Sequence, residues 1–439
     1  MTKICFVAPY CYPLFNPTIE HLFGGAEVRA WIFGMGLSQY PENEVSFIVL
    51  DHKQPRVEQY SRVTLYRHSF YKAQLRLSKK LVSNLFSLVE LGQKFALIQW
   101  IKKQILHLFR MPSKVAFVMM QKNEGNHPQR TSIFSLSIGP YRIVPEKIHI
   151  YIEVNADVYC IFGVSNMAAE LAAYCKHEMK KFILFSSSDE DFSDRYYPGS
   201  LEKNYYGSNG SLCYYVIMEA NLIVTQTKRQ AQLLLNRFGR KSVTIYSPVN
   251  LSIPMNINER GSGQPVLALW VGKSNQVKGP ELLLKLATLC PDIRFLMVLN
   301  RSEPETFKDI IHTKPPNVEI IENVRFGEVE KLFARAFMLI NTSAREGFPN
   351  TFLQAGKFGI PILSFQVDPD GFIEKYGCGL VANGDINVLT QGLRRLVLDS
   401  DFHSQCSRNI KQYVLTYHEP CEKVQQLNEV LRETMAHGH

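Results

Sequence analysis

Residues 341–355 read Asn-Thr-Ser-Ala-Arg-Glu-Gly-Phe-Pro-Asn-Thr-Phe-Leu-Gln-Ala, and this stretch decides the fold of the second half of the chain. The apolar run at 337–341 predicts a buried strand, and the spacing of apolar residues in 351–358 predicts a helix. The loop between them carries Glu346 and Gly347, and the helix is expected to begin at about Asn350. A strand, a short loop and a helix in this order form the repeating unit of a parallel α/β sheet.

The same alternation extends in both directions from this stretch. In the second half of the chain it predicts strands at 266–271, 295–299, 319–321, 337–341 and 362–365, and helices at 280–289, 329–336 and 351–358. In the first half it predicts strands at 4–8, 45–50, 148–153, 182–185 and 222–225, and helices from Ala26, at 166–180 and at 228–238. Both halves therefore have the pattern of a parallel sheet with its own helices.

A segment that contains glycine and proline, from Ser247 to Pro265, separates the two series of strands and is the best linker candidate. Because single cores stop growing at about 250–300 residues, a chain of 439 residues is expected to form two domains. We predict an α/β protein with two Rossmann-like domains, 1–250 and 251–418, whose parallel sheets face a central ligand-binding cleft. A helix over about 419–439 is expected to pack back on the first domain.

The composition argues against several classes of protein. With 46% hydrophobic and 20% charged residues, the chain resembles ordinary soluble globular proteins. Nine cysteines, an odd number without a CxxC pair, argue against a disulfide framework or a zinc site and for a reducing compartment. The first apolar run is shorter than the roughly 7–15 residues of a signal peptide, and no run reaches the ~18 residues of a membrane span. These features predict a cytoplasmic protein.

The loop and helix after residue 343 have the chemistry of an anion and sugar site. Free backbone N–H groups at a helix start near Asn350 suit a diphosphate. Glu346 is placed to accept hydrogen bonds from sugar hydroxyls, and Gly347 allows the backbone to approach a ligand closely. Taken alone, the same residues also fit an ordinary turn in which Asn350 caps the helix.

Two further features occupy the same position, at the carboxyl ends of predicted strands. Lys273 and Lys278 follow the strand at 266–271, where their charges can stabilise a leaving pyrophosphate without a metal. Gly24 and Gly25 follow the first strand and begin a helix, which offers a second approach for phosphate. Each feature alone also fits a solvated turn, but together they face one predicted cleft.

These residues resemble the retaining glycosyltransferases of the GT-B fold, family 4, also called glycosyl transferases group 1. The resemblance covers almost all of the second domain and, in the first, the segments Gly24-Gly25-Ala26-Glu27 and Thr225-Gln226-Thr227. The family signature is a Glu, seven residues and a second Glu, with Gly-Phe-Pro after the first. Here Glu346-Gly347-Phe348-Pro349 is present, and Gln354 stands in place of the second Glu.

The resemblance implies a transfer that retains anomeric configuration, with Glu346 holding the donor sugar and Gln354 at the ribose position. Lys273 and Lys278 stand where the family usually has an Arg and a Lys that bind the diphosphate. The segment Asn323-Val324-Arg325-Phe326 resembles the stretch whose backbone reads the base. The predicted donor-binding residues are Gly24, Gly25, Arg325, Gly347, Phe348, Pro349, Asn350, Thr351 and Gln354. No cofactor or metal is expected, since the nucleotide-sugar, UDP- or GDP-linked, is a substrate.

The first domain lacks one residue that many members of this family carry, a His after the middle strand. In its place Asp189 is the nearest polar group able to bind a sugar hydroxyl, and we predict a catalytic role for it beside Glu346, Lys273 and Lys278. A solvated acidic loop is the alternative. The cluster Asp189-Glu190-Asp191 also resembles a metal-binding motif of the other glycosyltransferase fold, but Lys273 and Lys278 already supply the charge that a metal would.

The net charge of +9 is concentrated in one segment. Residues 71–115, predicted to be a basic amphipathic insertion, contain nine Lys or Arg and one acid, Glu90. From Lys94 to Arg110 the apolar residues follow helical spacing and the lysines lie off that stripe. Such a helix suits an anionic membrane surface, at roughly 1 kcal/mol per basic residue, or packs on the core as an ordinary surface helix. No recognition motif for nucleic acid is present.

The sequence therefore predicts an enzyme, a metal-independent hexosyltransferase that moves a sugar from a nucleotide-diphosphate donor to a glycan or lipid-linked acceptor. A role in cell-surface polysaccharide or lipopolysaccharide synthesis, on the inner face of the membrane, fits the basic segment. Two alternatives stay open: a sugar-nucleotide epimerase of similar fold, and a non-catalytic membrane-associated homologue, for which Gln354 and the missing His are the hints.

Overall fold

The computed structural model describes residues 1–19, 23–68, 136–138, 141–143, 148–251, 266–322, 324 and 326–436. The basic segment 71–115 and Arg325 lie outside the described residues. The strands are β1 Thr2–Val7, β2 Asn43–Leu50, β3 Val57–Tyr60, β4 Val63–His68, β5 Leu136–Ile138, β6 Tyr141–Ile143, β7 Val158–Phe162, β8 Lys181–Phe185, β9 Leu222–Thr225, β10 Val243–Thr244, β11 Leu267–Lys273, β12 Arg294–Asn300, β13 Val318–Glu322, β14 Met338–Asn341, β15 Ile362–Ser364 and β16 Gly379–Val381.

The helices alternate with these strands along most of the described chain. They are α1 Tyr12–Phe15, α2 Gly25–Leu37, α3 Ile148–Val154, α4 Asn166–His177, α5 Gly210–Glu219, α6 Lys228–Phe238, α7 Pro280–Leu289, α8 Pro304–Thr313, α9 Phe326–Arg335, α10 Asn350–Lys357, α11 Phe372–Lys375, α12 Ile386–Leu398, α13 Ser400–Tyr417 and α14 Pro420–Ala436. Short 3-10 turns at Pro9–Cys11, Asp189–Phe192 and Pro369–Gly371 complete them.

Two separate sheets organise the molecule. The first has eight strands in the order β10-β9-β8-β7-β1-β2-β4-β3, and β3 alone among them runs antiparallel to its neighbour. The second has six parallel strands in the order β13-β12-β11-β14-β15-β16. The fold class predicted from the sequence is confirmed: this is an α/β protein with two sheets of parallel strands. Since all strands except β3 share one direction within their sheet, the loops at their carboxyl ends gather on one edge of each sheet.

Both faces of each sheet are covered by apolar side chains. In β1, Ile4 and Phe6 belong to one core cluster while Cys5 and Val7 belong to another, because successive side chains point to opposite faces. All five residues of β8 are buried, because both faces of the sheet are covered at this strand. Strands buried on both faces have continuous apolar runs, which is why the sequence reveals most of them.

One predicted strand is wrong. The segment predicted at 148–153 forms helix α3, Ile148–Val154, and the strand that follows is β7. Ile150, Tyr151 and Val154 are buried whereas Ile152 is 42% exposed, so the apolar residues follow a helical stripe rather than a buried strand. Short apolar runs of this length fit either structure, and tertiary packing makes the choice.

The polypeptide passes between the two halves at two points that lie side by side. The Ser247 carbonyl accepts a hydrogen bond from His418 Nδ1 at 2.7 Å, and the Val249 N–H donates to the His418 carbonyl at 3.1 Å. Beyond His418, helix α14 packs against α2 of the first half. Val424 of α14 lies so close to Gly36 of α2 that a Cβ atom added to Gly36 would be 2.5 Å from a methyl group of Val424. Asn43 also donates to the Asn428 side chain at 2.8 Å.

None of the helices in the described residues has an apolar stretch of the length that a membrane crossing requires.

Candidate active site

The loops that follow β11 and β14 rest on one another through hydrogen bonds. The Thr342 hydroxyl donates to the Lys278 carbonyl at 2.8 Å and accepts from the indole N–H of Trp270 at the same distance. The Ala344 N–H donates to the Val277 carbonyl, also at 2.8 Å. Gly279 has φ +57 and lies close enough to the other loop that an added Cβ would be 2.7 Å from the Thr342 carbonyl oxygen. The loop with the lysines and the loop with Glu346 therefore form one unit.

This packing brings two of the predicted catalytic residues into contact. The Lys278 ammonium forms an ion pair and hydrogen bond with the Glu346 carboxylate, and the two side chains are 26% and 17% exposed. Lys273, the last residue of β11, is exposed at the carboxyl end of that strand. An ammonium and a carboxylate at an open strand edge can each bind part of a sugar diphosphate, the ammonium through phosphate and the carboxylate through sugar hydroxyls.

Helix α10 begins at Asn350, as predicted, but Asn350 does not cap it. The N-cap residue is Pro349, and within the described chain no side chain caps this helix start. The Asn350 side chain instead donates to the Gly25 carbonyl of the first domain at 3.4 Å. The Phe352 N–H of the first turn donates to the Pro349 carbonyl at 2.9 Å. The dipole of α10 favours an anion at this helix start.

The residues that follow Glu346 pack closely against the rest of the protein. Gly347 packs against the first domain, where a Cβ would lie 2.3 Å from Gln226 Nε2 and 2.8 Å from the Ser187 carbonyl oxygen. Phe348 is 6% exposed and its ring stacks on Phe372 with 5.2 Å between centroids. Since Phe348 and Pro349 are buried, their side chains anchor the loop in the core of the second domain.

The remaining donor-binding candidates lie near the same helix start. Thr351 is half-buried in the first turn of α10, and Gln354 is 8% exposed in its second turn, one helical turn beyond Asn350. Gly24 caps α2, with its N–H donating to the Glu27 carboxylate at 2.8 Å. Gly25 faces Asn350, because a Cβ on it would be 3.1 Å from the amide carbon of that residue.

Each carboxylate of the acidic cluster in the first domain has its own partner. Asp189 pairs with Arg229 at 2.8 Å; burial raises the pKa of Asp189, and Arg229 opposes that shift. Glu190 pairs with Arg195 and, at 3.5 Å, with Arg345 of the second domain. Among the described residues, no three His, Cys, Asp or Glu side chains are grouped to hold a metal ion.

Asp191 has a structural role that the sequence did not reveal. Its carboxylate is buried and accepts N–H bonds from Ser187 at 2.5 Å, Ser188 at 3.0 Å and Val164 at 3.2 Å. Burial raises the pKa of this carboxyl group, and the three N–H bonds oppose the shift. Asp191 thereby fixes the loop after β8, against which Gly347 packs.

Several further residues join the two domains and were not predicted. The Asp370 carboxylate accepts hydrogen bonds from the N–H groups of Lys228 at 2.8 Å and Arg229 at 2.9 Å, at the start of α6. The Tyr205 hydroxyl donates to Glu303 at the start of α8. Nothing in the local sequence marks such contacts, because each joins segments that only the tertiary fold brings together.

Comparisons with known proteins find similarity to one family of enzymes. Residues 255–413 match the model of the family "Glycosyl transferases group 1". An uncharacterized glycosyltransferase of Haemophilus influenzae is 24% identical over 205 residues, which cover 44% of this chain and 56% of that protein. The chain thus spans about half the length of the curated relative it matches.

Three solved structures have a similar overall fold. Sucrose-phosphate synthase of Thermosynechococcus elongatus has a TM-score of 0.66 at 13% identity, over 99% of this chain and 100% of that one. The lipopolysaccharide outer core galactosyltransferase WaaB has a TM-score of 0.54 at 14% sequence identity, over 98% of this chain and 99% of that one. A putative UDP-N-acetylglucosamine 2-epimerase of Listeria monocytogenes has a TM-score of 0.53 at 9% sequence identity, over 97% of this chain and 94% of that one.

The predicted resemblance to this family is confirmed over residues 255–413, and the whole chain has the GT-B fold. Identities this low in the solved structures show the fold alone, since transferases and an epimerase share it.

Proposed function

We propose that this protein is a retaining glycosyltransferase that uses a nucleotide-diphosphate sugar as donor. The contact between Lys278 and Glu346, beside the uncapped start of α10, carries this proposal. It supports the proposal because an ammonium able to bind a diphosphate, a carboxylate able to bind sugar hydroxyls and a helix N-terminus lie within one pair of loops. The family match over residues 255–413 supports the same assignment.

In the proposed reaction the acceptor hydroxyl oxygen bonds to the anomeric carbon as the bond from that carbon to the β-phosphate oxygen breaks. The nucleoside diphosphate leaves with the electron pair, and the proton of the acceptor hydroxyl passes to the departing phosphate. Lys273, Lys278 and the N–H groups of α10 stabilise the charge that develops on the leaving group, so the proposal requires no metal. Attack on the face that the leaving group vacates retains the anomeric configuration.

The acceptor, in this proposal, is a glycan or a lipid-linked glycan in cell-surface polysaccharide or lipopolysaccharide synthesis. The fold shared with an outer core galactosyltransferase and the concentration of basic residues in 71–115 support a site at the inner face of the membrane. Sedimentation with vesicles of neutral lipid, with and without anionic lipid, tests this part. Equal sedimentation with both kinds of vesicle contradicts electrostatic membrane contact.

Glu346→Gln is the sharpest test of the donor site. The amide keeps the shape of the side chain but loses the charge that pairs with Lys278, so we expect the release of nucleoside diphosphate to slow by about 100-fold or more. Donors are first chosen by thermal shift from a panel of UDP, GDP and ADP sugars. Glu305→Gln, an exposed partner of Lys308 on α8, is the matched control and should react at the unmodified rate. Unchanged turnover in the Glu346 variant contradicts the assigned site.

The dependence of the reaction on acceptor separates the proposal from the two alternatives. A transferase releases free nucleoside diphosphate at a rate that rises when acceptor is added. An epimerase converts the donor sugar without that dependence, and a non-catalytic homologue binds the donor and releases nothing. Phosphate detection coupled to nucleoside diphosphate release, with and without an acceptor extract, measures this difference.

A further inference from the structure

Gln226 follows β9 directly, and its side-chain amide is held at both ends. The residue is 2% exposed. Its Nε2 donates to the Ser187 carbonyl at 2.9 Å, and its Oε1 accepts from the Ser247 hydroxyl at 3.1 Å. A rotated amide would direct Oε1 at the Ser187 carbonyl oxygen, and two acceptors cannot bond to one another. The amide of Gln226 therefore has one favoured orientation.

A second buried glutamine fixes the backbone beneath this amide. The Gln226 N–H donates to Gln230 Oε1 at 3.1 Å, and the Ser186 hydroxyl donates to the same oxygen at 2.6 Å. The Ser186 carbonyl accepts from Nη1 of the buried Arg29 at 2.7 Å. These bonds join the carboxyl ends of β8 and β9 into one support, because separating them would leave buried polar groups without partners.

The loop that carries Glu346 rests on this support. Gly347, the next residue, is buried, and a Cβ on it would be 2.3 Å from Gln226 Nε2 and 2.7 Å from Gln230 Nε2. The loop therefore lies against both amide groups with no space for a side chain between them. A shift of the Gln226 amide displaces Gly347 and, with it, the adjacent carboxylate of Glu346.

The other end of the Gln226 amide contacts the crossing between the domains. Ser247 is fully buried; its hydroxyl donates to Gln226, and its carbonyl accepts from His418 Nδ1 at 2.7 Å. Ser247 and His418 lie where the polypeptide passes between the two halves. One amide group thus contacts both the crossing of the chain and the loop of the candidate active site.

We propose that Gln226 is a positioning residue, which sets the place of the Glu346 loop against the first domain and couples that loop to the crossing at Ser247. The inference rests on the proposed function, in which Glu346 binds the donor sugar. Because Gln226 is buried, it acts through the Gly347 backbone and does not bind substrate itself. A displacement of about 1 Å can cost a factor of about 100 in rate, so a fixed support at this point affects turnover.

Gln226→Met tests the inference, because methionine keeps the length of the side chain and removes both hydrogen bonds. Release of nucleoside diphosphate from UDP-glucose, UDP-galactose, UDP-N-acetylglucosamine and GDP-mannose is measured with water and with a mixture of methyl pyranosides as acceptors. We expect kcat to fall about 10-fold while KM for the nucleotide-sugar changes less than about threefold, since the proposed diphosphate contact of Lys278 stays in place. Gln232→Met makes the same change at an exposed position of α6, where the side chain bonds to Asn236, and should react as the unmodified protein does.

Hydrogen exchange measures the same contact without a reaction. In Gln226→Met the buried N–H groups of Gly347 and Phe348 should exchange about 10-fold faster than in Gln232→Met. Ser247→Ala removes only the hydroxyl that donates to Gln226, and it should cause both changes at smaller size, which keeps the inference testable if the methionine variant does not fold. A role in stability alone would lower the melting temperature and leave kcat of the folded protein unchanged.

Two outcomes overturn the inference. The first is equal exchange of the Gly347 and Phe348 N–H groups in the Gln226 and Gln232 variants. The second is an equal kcat of these variants toward a nucleotide-sugar that the unmodified protein turns over. The proposed function fails separately, when the unmodified protein releases no nucleoside diphosphate from any of the donors while exchange at Gly347 still depends on Gln226. In that case the coupling of the loop to the crossing stands, and its place in a transfer reaction falls.

Discussion

At the scale of single residues, the candidate site depends on groups that hold each other in place before a donor arrives. Lys278 and Glu346 neutralise one another in a half-buried position, so neither charge is left without a partner in the unliganded protein. A bound sugar diphosphate would give the ammonium a phosphate partner and leave the carboxylate for sugar hydroxyls. The pair can thus exchange partners without a large change in the burial of either charge.

Gly347→Ala tests the close approach of the Glu346 loop to the first domain. The new methyl group would lie 2.3 Å from Gln226 Nε2 and 2.8 Å from the Ser187 carbonyl, and the backbone oxygen cannot easily move away. We expect this variant to keep its fold but lose about tenfold or more in turnover, because small displacements of a positioned group are costly. Steady-state rates and thermal unfolding measure the two effects.

Gly327→Ala is the matched control for this change. An added Cβ there meets nothing within 4 Å, and the residue lies in helix α9. Alanine in a helix is favoured over glycine by roughly 0.5–1 kcal/mol, so the control should be as active as the unmodified protein and slightly more stable. Equal activity of the two alanine variants would contradict the role given to Gly347.

At the scale of elements, His418 joins α13 and α14 at the point where the chain passes between the halves. Its side chain is buried, and Nδ1 carries a hydrogen that it donates to the Ser247 carbonyl at 2.7 Å. Burial lowers the pKa of His418 to about 4, and the charge of Lys423 adds to this shift while the bond to Ser247 opposes it. The imidazole therefore remains neutral in the folded protein at pH values where it is protonated in the unfolded chain.

This difference predicts how stability depends on pH. The unfolded chain takes up a proton near pH 6.5 and the folded protein near pH 4, so the free energy of unfolding should fall as pH decreases from about 6.5 to about 4. Between pH 7.5 and 5 the loss from this residue should be about 2 kcal/mol. In His418→Gln, the difference between the free energies of unfolding at pH 7.5 and pH 5, measured with urea, should be smaller by about 2 kcal/mol. His312→Gln, at an exposed position of α8, is the control, and an equal pH dependence in both variants would contradict the prediction.

At the scale of the whole molecule, the last helix ties the end of the chain to the first domain. Leu427 of α14 is fully buried in the core cluster that also contains Phe6 and Phe47 of the first sheet. The two halves are therefore joined twice, once through the Ser247–Val249 crossing and once through α14. Contacts such as Asp370 at the start of α6 add a third connection across the cleft.

Leu427→Ala should destabilise the first domain although the residue lies near the end of the chain. Loss of a buried leucine costs about 2–5 kcal/mol, through lost burial and the cavity that remains. Leu415→Ala, at a leucine of α13 that is 44% exposed, should change the free energy of unfolding by less than about 1 kcal/mol. Chemical denaturation followed by hydrogen exchange in β1 and β2 measures the effect. Equal stability of the two variants would show that α14 does not support the first domain.

Much of the fold and part of the site could be predicted from local patterns. Strands buried on both faces are short apolar runs, so local patterns predict β1, β2, β8 and β9 of the first sheet and β11 to β15 of the second. The same patterns predict Lys273 and Lys278 after the apolar run of β11, and Glu346 after that of β14. The segment at 148–153 was assigned to a strand wrongly, because a short apolar run has too few residues to reveal its period. The functional roles of the predicted site residues stay predictions until the variants are measured.

The sequence by itself determined many of the elements, though not the helix at 148–154, and which chemical groups stand at the ends of the predicted strands, because both depend on residues close together in the chain. Only the tertiary structure decided which of those groups meet: Lys278 with Glu346, 68 residues apart, and Gly25 with Asn350, 325 apart. It also decided that Phe348 is buried while Tyr206 is exposed. Contacts and exposure depend on how two sheets and the loops between them pack, and no local period in the sequence encodes that packing.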